Sequence, residues 1–522
     1  MAHGRNLGMR NQKARRNFRA SPVVSLQRCC MNGVRLGKIT RATTGSRLRV
    51  LELCSGCGGM SLGLQSAGLE LLGHVEQDEP AAATYALNFS APPGISAESW
   101  RKARDMEKCG PEELAVELGI SNVAEGFDVL AAGLPCQAFA RIGRSKLRSV
   151  TGDEDAYRND PRAKLYRRFL EYVEAVQPIA MVIENVPDIL NFGGHNIPEE
   201  ICETLDVMGY TCSYTLLNAA FYGVPQMRER LFLVAYDKAL GLTPTFPSPS
   251  HSAELPSGYE AARTVALKYI PEIGAHFIPI PVAVDGLPSA VSVEAALGDL
   301  PAINEHWRDP VTMRRRKVQD QIDYRANRDL SAYAELMRKW ERFTTEGSTD
   351  GHVVRLTPRD FPIFRRMAAG DDYPRALRIA EEMFTAALER MSQRPDPESV
   401  SWLAARKSFV PPYDPGKFPN KWWKLDPKAP SRTLTAHLGK DSYSHIHWDS
   451  DQQRMISVRE AARLQSFPDG FRFAGAMNAA FRQIGNAVPP LLAKAVGEHL
   501  RGEIVSAATS RMKLDRARRR AA

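Results

Sequence analysis

From residue 48 onward the apolar positions arrive in short blocks, each closed by a glycine-rich or acidic break. "RLRVLELCSGCGGMSLGLQSAG" opens with a block fit for a buried strand, passes through a glycine-rich turn, and continues as a short helix with Gly68 as its stop. "LELLGHVEQD", "GFDVLAAG" and "QPIAMVIENV" predict three further strands, and "RERLFLVAYD" a later one. Before the fourth strand, Leu165, Phe169, Tyr172 or Val173, and Val176 recur at helical spacing, the apolar stripe of a crossover helix. Strands alternating with helices predict a doubly wound α/β domain around a mainly parallel sheet.

The pattern breaks near Asp237. "LTPTFPSPSHSAELPSG" reads as a Pro/Ser-rich linker, and up to about residue 429 the chain is irregular, with Arg, Lys and Trp interleaved as in "EHWRDPVTMRRRKVQD" and "NKWWKL". Regular patterning returns in "SVREAARLQSF" and in "PPLLAKAVGEHL", a helix opened by prolines. The expected organisation is a basic disordered arm over 1–47, an α/β domain over 48–236 and again over 430–505, a smaller domain inserted at 237–429, and a basic tail over 506–522.

Charge sharpens that division. Residues 1–50 carry twelve Lys and Arg with no acid, and residues 506–522 carry +5, so the stretch between carries −8 of the net +9. Basic ends suit a polyanionic partner, and solvated ends account for them equally well. The start lacks the apolar core of a secretory signal, and no apolar run reaches the eighteen or so residues a membrane helix needs. Eight scattered cysteines in a chain of 522 residues fit reduced thiols in a cytoplasmic protein.

The chemistry sits in the breaks. "CSGCGG", Cys54 to Gly59, lets a backbone approach a nucleotide-like cofactor closely, and Glu76 at the end of the next strand can accept both hydroxyls of a ribose. The turn matches neither the phosphate-binding GxxxxGK[ST] nor GxGxxG, which favours an adenosine cofactor such as S-adenosylmethionine. Cys54 and Cys57 have the spacing of half a zinc site, but no second CxxC or CxxH completes one, so no metal is expected. Cys136 follows Pro135 directly after a strand, as a nucleophile held at a fixed place would. Glu184 in "ENV" and Arg228 and Arg230 in "QMRER" also fall at strand ends, where open α/β sheets bind their ligands. Together these groups meet the needs of methyl transfer to carbon 5 of cytosine. A thiolate adds to carbon 6, an acid serves ring nitrogen 3, and an arginine holds the base carbonyl.

The chain resembles the DNA (cytosine-5)-methyltransferases over about residues 48–236 and 430–500. The likeness lies in "LELCSGCGG", "GLPCQAFARIG", "ENV", "QMRER", "REAARLQSFPDGF" and "QIGNAVPPLLAKA". It implies Cys136 as nucleophile, Glu184 as acid, Arg230 on the base carbonyl, and Arg228 supporting the nucleophile loop. It also implies cofactor contacts from Cys54, Gly56, Cys57, Gly59, Glu76, Gln77, Asp105, Pro135, Leu165 and Asn486. S-adenosylmethionine would be the donor and S-adenosylhomocysteine the product. Residues 237–429 would recognise the target in double-stranded DNA, which must be flipped to reach Cys136. A cytoplasmic monomer associated with a prokaryotic nucleoid is expected, and whether a cognate restriction endonuclease acts alongside stays open.

Three departures stand out. Glu52 and Cys54 replace the family's usual Asp and Phe, so an aromatic surface for adenine is missing or comes from elsewhere. Ala140-Arg141-Ile142-Gly143 lacks the usual loop serine, and Leu134 replaces a common proline. Rival readings are weaker. A zinc deaminase would use His74-Val75-Glu76 and Pro135-Cys136, but Phe139 stands where its second cysteine is needed. An RNA cytosine-5 methyltransferase and an inactive DNA-binding homologue remain; intact Cys136, Glu184 and Arg230 oppose the latter.

Overall fold

A computed structural model of the chain describes residues 22–135, 164–192, 195–256, 259–268, 270–326, 329–418, 421–439 and 443–521. Its centre is a six-stranded sheet of β1 (Arg49–Leu53), β2 (Glu70–Val75), β3 (Val129–Ala132), β4 (Ala180–Asn185), β5 (Tyr210–Asn218) and β6 (Glu229–Asp237), in the order β2-β1-β3-β4-β6-β5. The pairs β1–β2, β1–β3 and β3–β4 are parallel, while β6 runs antiparallel to both β4 and β5. The connection from Asn218 to Glu229 is too short for the crossover a parallel return needs, so β6 reverses. β5 was not expected from the sequence; the other five strands were.

Successive side chains of each strand enter different cores. Val50, Val129, Ala131, Ala180 and Val182 face one apolar layer, while Leu51, Leu53, Leu130, Met181 and Ile183 face the other. The second layer holds α4 (Lys164–Val176), through Phe169, Tyr172 and Val173, and α5 (Ile197–Val207), through Ile201 and Leu205. The first holds α2 (Gly59–Ser66), α3 (Glu79–Asn88) and α8 (Pro490–Ala521). Helices therefore cover both faces of the sheet, the doubly wound arrangement the alternation predicts. α2 and α8 pack closely because small residues meet: a Cβ on Gly63 would strike the Lys494 backbone nitrogen at 2.6 Å, and one on Gly497 would strike Ala67 at 2.9 Å.

The ends and the linker differ from expectation. Within the arm expected to be disordered, Pro22–Thr43 forms a helix, α1, and the expected tail continues α8 to Ala521. Lys38 is buried and donates to the carbonyls of Val176 (2.6 Å) and Gln177 (2.9 Å). Arg41 pairs with buried Asp128 at 2.6 Å, and Arg35 with Asp237 at 3.0 Å. These charges have partners at the amino-terminal side of the sheet, which a charge count does not reveal. The Pro/Ser-rich stretch is packed as well: Phe246 is buried and Tyr222 donates its hydroxyl to the Pro247 carbonyl at 2.8 Å.

The inserted region joins the first apolar layer through Val293, Leu297, Met337 and Trp340. It is held to the returning chain by α6 (Val458–Leu464), whose arginines are fully buried. Arg463 pairs with Asp299 at 2.9 Å and Asp469 at 2.5 Å, Arg459 pairs with Asp350, and Arg454, just before α6, pairs with Glu460 at 2.6 Å. Such pairs offset their desolvation only when every donor is used, and the Arg463 fork meets both carboxylates and the Ala296 carbonyl. Among the described residues no helix is long and apolar enough to cross a membrane.

Candidate active site

The carboxyl ends of β1 to β4 open into one cavity of about 550 Å³, walled on its far side by α7 (Met477–Asn486) and the residues after it. Ligand sites of open α/β sheets form at this edge. The turn after β1 is tightly wound: Cys54, Gly56 and Gly58 all have positive φ (53°, 56° and 92°). Gly58 has no room for a side chain against the Phe89 and Tyr85 rings, and a Cβ on Gly59 would collide with the Val488 carbonyl. Of the ten cofactor residues expected, nine line the cavity; Gly59 lies beneath it, where it lets α2 approach the returning chain.

Glu76 is oriented by backbone donors. The Gly56 N–H donates to one carboxylate oxygen at 2.8 Å and the Asp78 N–H to the other at 2.7 Å. A carboxylate has about four acceptor sites, so two remain for a pair of hydroxyls. Burial pushes its pKa up, while the N–H groups of Asp78 and Gly56 pull it down. Asp105 accepts from the Glu107 N–H at 3.0 Å and pairs with Lys108 at 3.1 Å. No Phe, Tyr or Trp lines the cavity among the described residues; Cys54, Met106 and Leu165 are part of its apolar wall, with the Cys54 and Met106 sulfurs 3.9 Å apart. The position usually held by an aromatic is thus filled by sulfur. Burial pushes the Cys54 thiol up to about 12 and the Cys57 thiol higher, so both stay protonated.

Glu52 is almost fully buried, bonded to Ser61, which in turn meets the Tyr85 hydroxyl at 2.8 Å. Burial raises its pKa to about 8, so Glu52 is mainly protonated at neutral pH. His74, which the deaminase reading needs as a ligand, stacks on Tyr85 at 3.8 Å and bonds the Trp100 carbonyl at 2.8 Å. Burial lowers its pKa to about 4, and this ring serves the core.

At the end of β4, Glu184 pairs with Arg230 Nε at 3.0 Å, with both side chains nearly buried. Burial raises the Glu184 pKa, and Arg230 and Arg228 partly offset it. Next to it, Asn185 donates to the Leu134 carbonyl at 2.9 Å, which fixes the end of β3 immediately before Pro135. Cys136 itself, with residues 137–163, lies outside the described residues. Arg228 is fully buried and donates to Leu434 (2.8 Å), Gly485 (3.1 Å) and Ala487 (3.1 Å) carbonyls. These bonds tie it to the returning chain; the expected support of the nucleophile loop falls on residues outside those described.

Sequence reading missed Met106, Arg482 and Gln483 in the cavity wall, and Gln226 and Gln465 behind it. Arg482 pairs with Asp78 at 2.7 Å across the cavity mouth. Gln226, Gln465 and Gln483 carried a signal, their places in "QMRER", "REAARLQSFPDGF" and "QIGNAVPPLLAKA"; Met106 and Arg482 carried none.

Known proteins match the chain over most of its length. A family model described as C-5 cytosine-specific DNA methylase matches residues 48–502. A protein of Oceanobacillus iheyensis assigned as a type II methyltransferase is 36% identical over 87% of this chain and 95% of its own length. The type II methyltransferase M.AgeI of Thalassovita gelatinovora is 31% identical over 87% of this chain and 99% of its own. In fold, the chain is similar to an E. coli prophage protein assigned as a DNA modification methyltransferase, with a TM-score of 0.53 and 22% identity over 87% of this chain and 98% of that one. On these grounds the chain belongs to the C-5 cytosine-specific DNA methylases, enzymes that take S-adenosylmethionine as methyl donor.

Proposed function

We propose that the protein methylates carbon 5 of a cytosine flipped out of double-stranded DNA, through a covalent bond between Cys136 and carbon 6. The Glu184–Arg230 pair carries this reading: it lies 3.0 Å apart in the same cavity as the glycine turn and Pro135, the residue before Cys136. Cys136 attacks as thiolate and forms the S–C6 bond, while Glu184 passes its proton to ring nitrogen 3. A carboxyl raised by burial is suited to holding that proton. Arg230 holds the base carbonyl, and carbon 5 gains the electron pair of the former double bond. The residues around the cavity fit an adenosyl group: Glu76 has acceptor sites to spare and the turn at Gly56 and Gly58 brings backbone close. S-adenosylmethionine supplies the electrophilic methyl group there. Loss of the carbon 5 proton and departure of the Cys136 sulfur then restore the ring, and nitrogen 3 returns its proton to Glu184.

Residues 237–429, rich in Arg, Lys and Trp, read the surrounding DNA sequence in this proposal, because a pocket for one flipped base cannot. DNA with 5-fluorocytosine at the target tests the chemistry, since fluorine cannot leave as a proton does. The wild type should form an adduct stable to denaturant, and Cys136→Ala should form none. An adduct or continued methylation in Cys136→Ala would refute the covalent route.

A further inference from the structure

Behind the cavity wall, five buried residues close a ring of hydrogen bonds. Gln226 accepts from the Leu434 N–H at 2.8 Å, and Arg228 donates to the carbonyl of the same Leu434 at 2.8 Å. Arg228 also donates to the Ala487 carbonyl at 3.1 Å, which receives a second bond from the Gln465 amide. Gln465 accepts from the Gln226 amide at 2.5 Å and so completes the circuit. Gln226, Leu434 and Gln465 are 0% exposed and Arg228 is 1% exposed, so water does not substitute for any of these partners.

The ring joins four stretches of chain, at 226–228, 434, 465 and 487, that are not adjacent in sequence. Two residues beyond Arg228 is Arg230, paired with Glu184. One residue before Ala487 is Asn486, at the cofactor side of the cavity. Leu434 lies where the chain returns from the insert, and Gly485 is pressed against the Thr435 backbone with no room for a side chain. The primary amide of Gln465 donates and accepts at once, whereas an ionised glutamate would lose the donor to Ala487 and add a charge in a sealed place.

We propose that Gln465, acting with Gln226, is a positioning residue that holds the Asn486 edge of the cofactor site in register with Arg230. It touches neither base nor cofactor; it acts through the Ala487 carbonyl. The placement of the two sites rests on the reading given under Proposed function. Losing one such bond should loosen cofactor binding by about tenfold.

The test is calorimetric binding of S-adenosylhomocysteine, without DNA and well below the unfolding temperature, to the full chain carrying Gln465→Leu, Gln226→Leu or both. Support is a weakening of about tenfold in each single variant with no further loss in the double variant, as expected for members of one circuit. Unchanged affinity with a lowered unfolding temperature would make the ring merely structural and overturn the proposal. Additive losses would overturn it too, since the two glutamines would then act separately. Should Gln465→Leu fail to fold, Gln465→Asn, which keeps the amide but shortens its reach, is read by the same criteria. The binding assay needs no catalysis, so failure of the covalent mechanism would leave its outcome interpretable.

Discussion

Glu184 is the residue where structure and chemistry can be separated by substitution. It lies 3.0 Å from Arg230, and both side chains are close to nine-tenths buried. At that distance and an effective dielectric constant of about 20, the pair attracts with about 5 kcal/mol. Glu184→Ala leaves the Arg230 charge buried with its acid gone, which should destabilise the protein by about 3–5 kcal/mol. Glu184→Gln keeps an oxygen within reach of the guanidinium, so its cost should be smaller, about 1–2 kcal/mol. Neither variant can deliver a proton to ring nitrogen 3. Both should slow single-turnover methyl transfer by about 10²–10⁴-fold, measured with labelled cofactor at saturating DNA.

The sign of the pH dependence follows from burial, the largest influence on Glu184. Its folded-state pKa lies above the ordinary 4.5, so the folded protein holds the proton more tightly than the unfolded chain. The stability this group contributes is therefore full below 4.5 and is lost as pH rises through the raised value. The wild-type rate should fall through the same upper window, as the acid form is depleted, and Glu184→Gln should lose that limb. A Glu184→Gln enzyme within threefold of wild type, or a Glu184→Ala protein equally stable, would refute the reasoning.

Three further outcomes are expected. Glu76→Ala should weaken S-adenosylhomocysteine binding by about 1.5–3 kcal/mol in calorimetry, by removing a charged acceptor; unchanged affinity would displace the ribose from this acid. Gly485→Ala should cost about 1–3 kcal/mol in denaturant unfolding and weaken the same ligand, because the new Cβ would overlap the Thr435 backbone and approach the Ala436 nitrogen to 2.6 Å. His352 is buried with neither ring nitrogen bonded among the described residues, and burial, helped by Arg459, lowers its pKa to about 3. The folded state therefore resists its protonation, so its contribution is present above 6.5 and is lost as pH falls toward 3; His352→Leu should flatten the acid limb of stability, and an unaltered limb would count against it.

What could be read from the sequence was set by where each element's signal resides. β1, β3 and β4 are buried on both faces, so they appear as apolar runs such as "VLAA" and "AMVIEN". β5 escaped although Tyr210, Cys212, Tyr214 and Leu216 alternate along it, because Thr211, Ser213 and Thr215 between them give it the composition of a loop. α1 escaped for an electrostatic reason: Arg35, Lys38 and Arg41 share a helix face, but their partners Asp237, Val176 and Asp128 lie far along the chain. Nine of the ten expected cofactor residues line one cavity; seven of them lie at a strand end or in a quoted motif, while Asp105 and Leu165 do not. Gln465 stood in a quoted motif without a readable role and Met106 in none, since a buried amide and a cavity methionine look like ordinary core residues until their neighbours are known.

The deepest limit on sequence reading is the split of the α/β domain itself. One wall of the cavity comes from 52–57 and 75–78, and the facing wall from 482–488, with the whole insert between them. No periodicity announces that these stretches meet. Closing so long a loop costs little more entropy than closing a short one, provided the two ends are fastened. One of the points that fasten them is a backbone pair: the Met227 N–H donates to the Ser431 carbonyl at 2.8 Å, and the Ser431 N–H to the Pro225 carbonyl at 2.9 Å. That junction immediately precedes Arg228 and Arg230. The exit of the insert is thus bonded to the stretch that carries the arginines beside Glu184, and the buried α6 arginines fix the insert's body to the same returning chain. In the function proposed above, the insert that would read DNA and the pocket that would hold one base share a backbone seam a few residues long, so displacement of the insert would bear directly on Arg230.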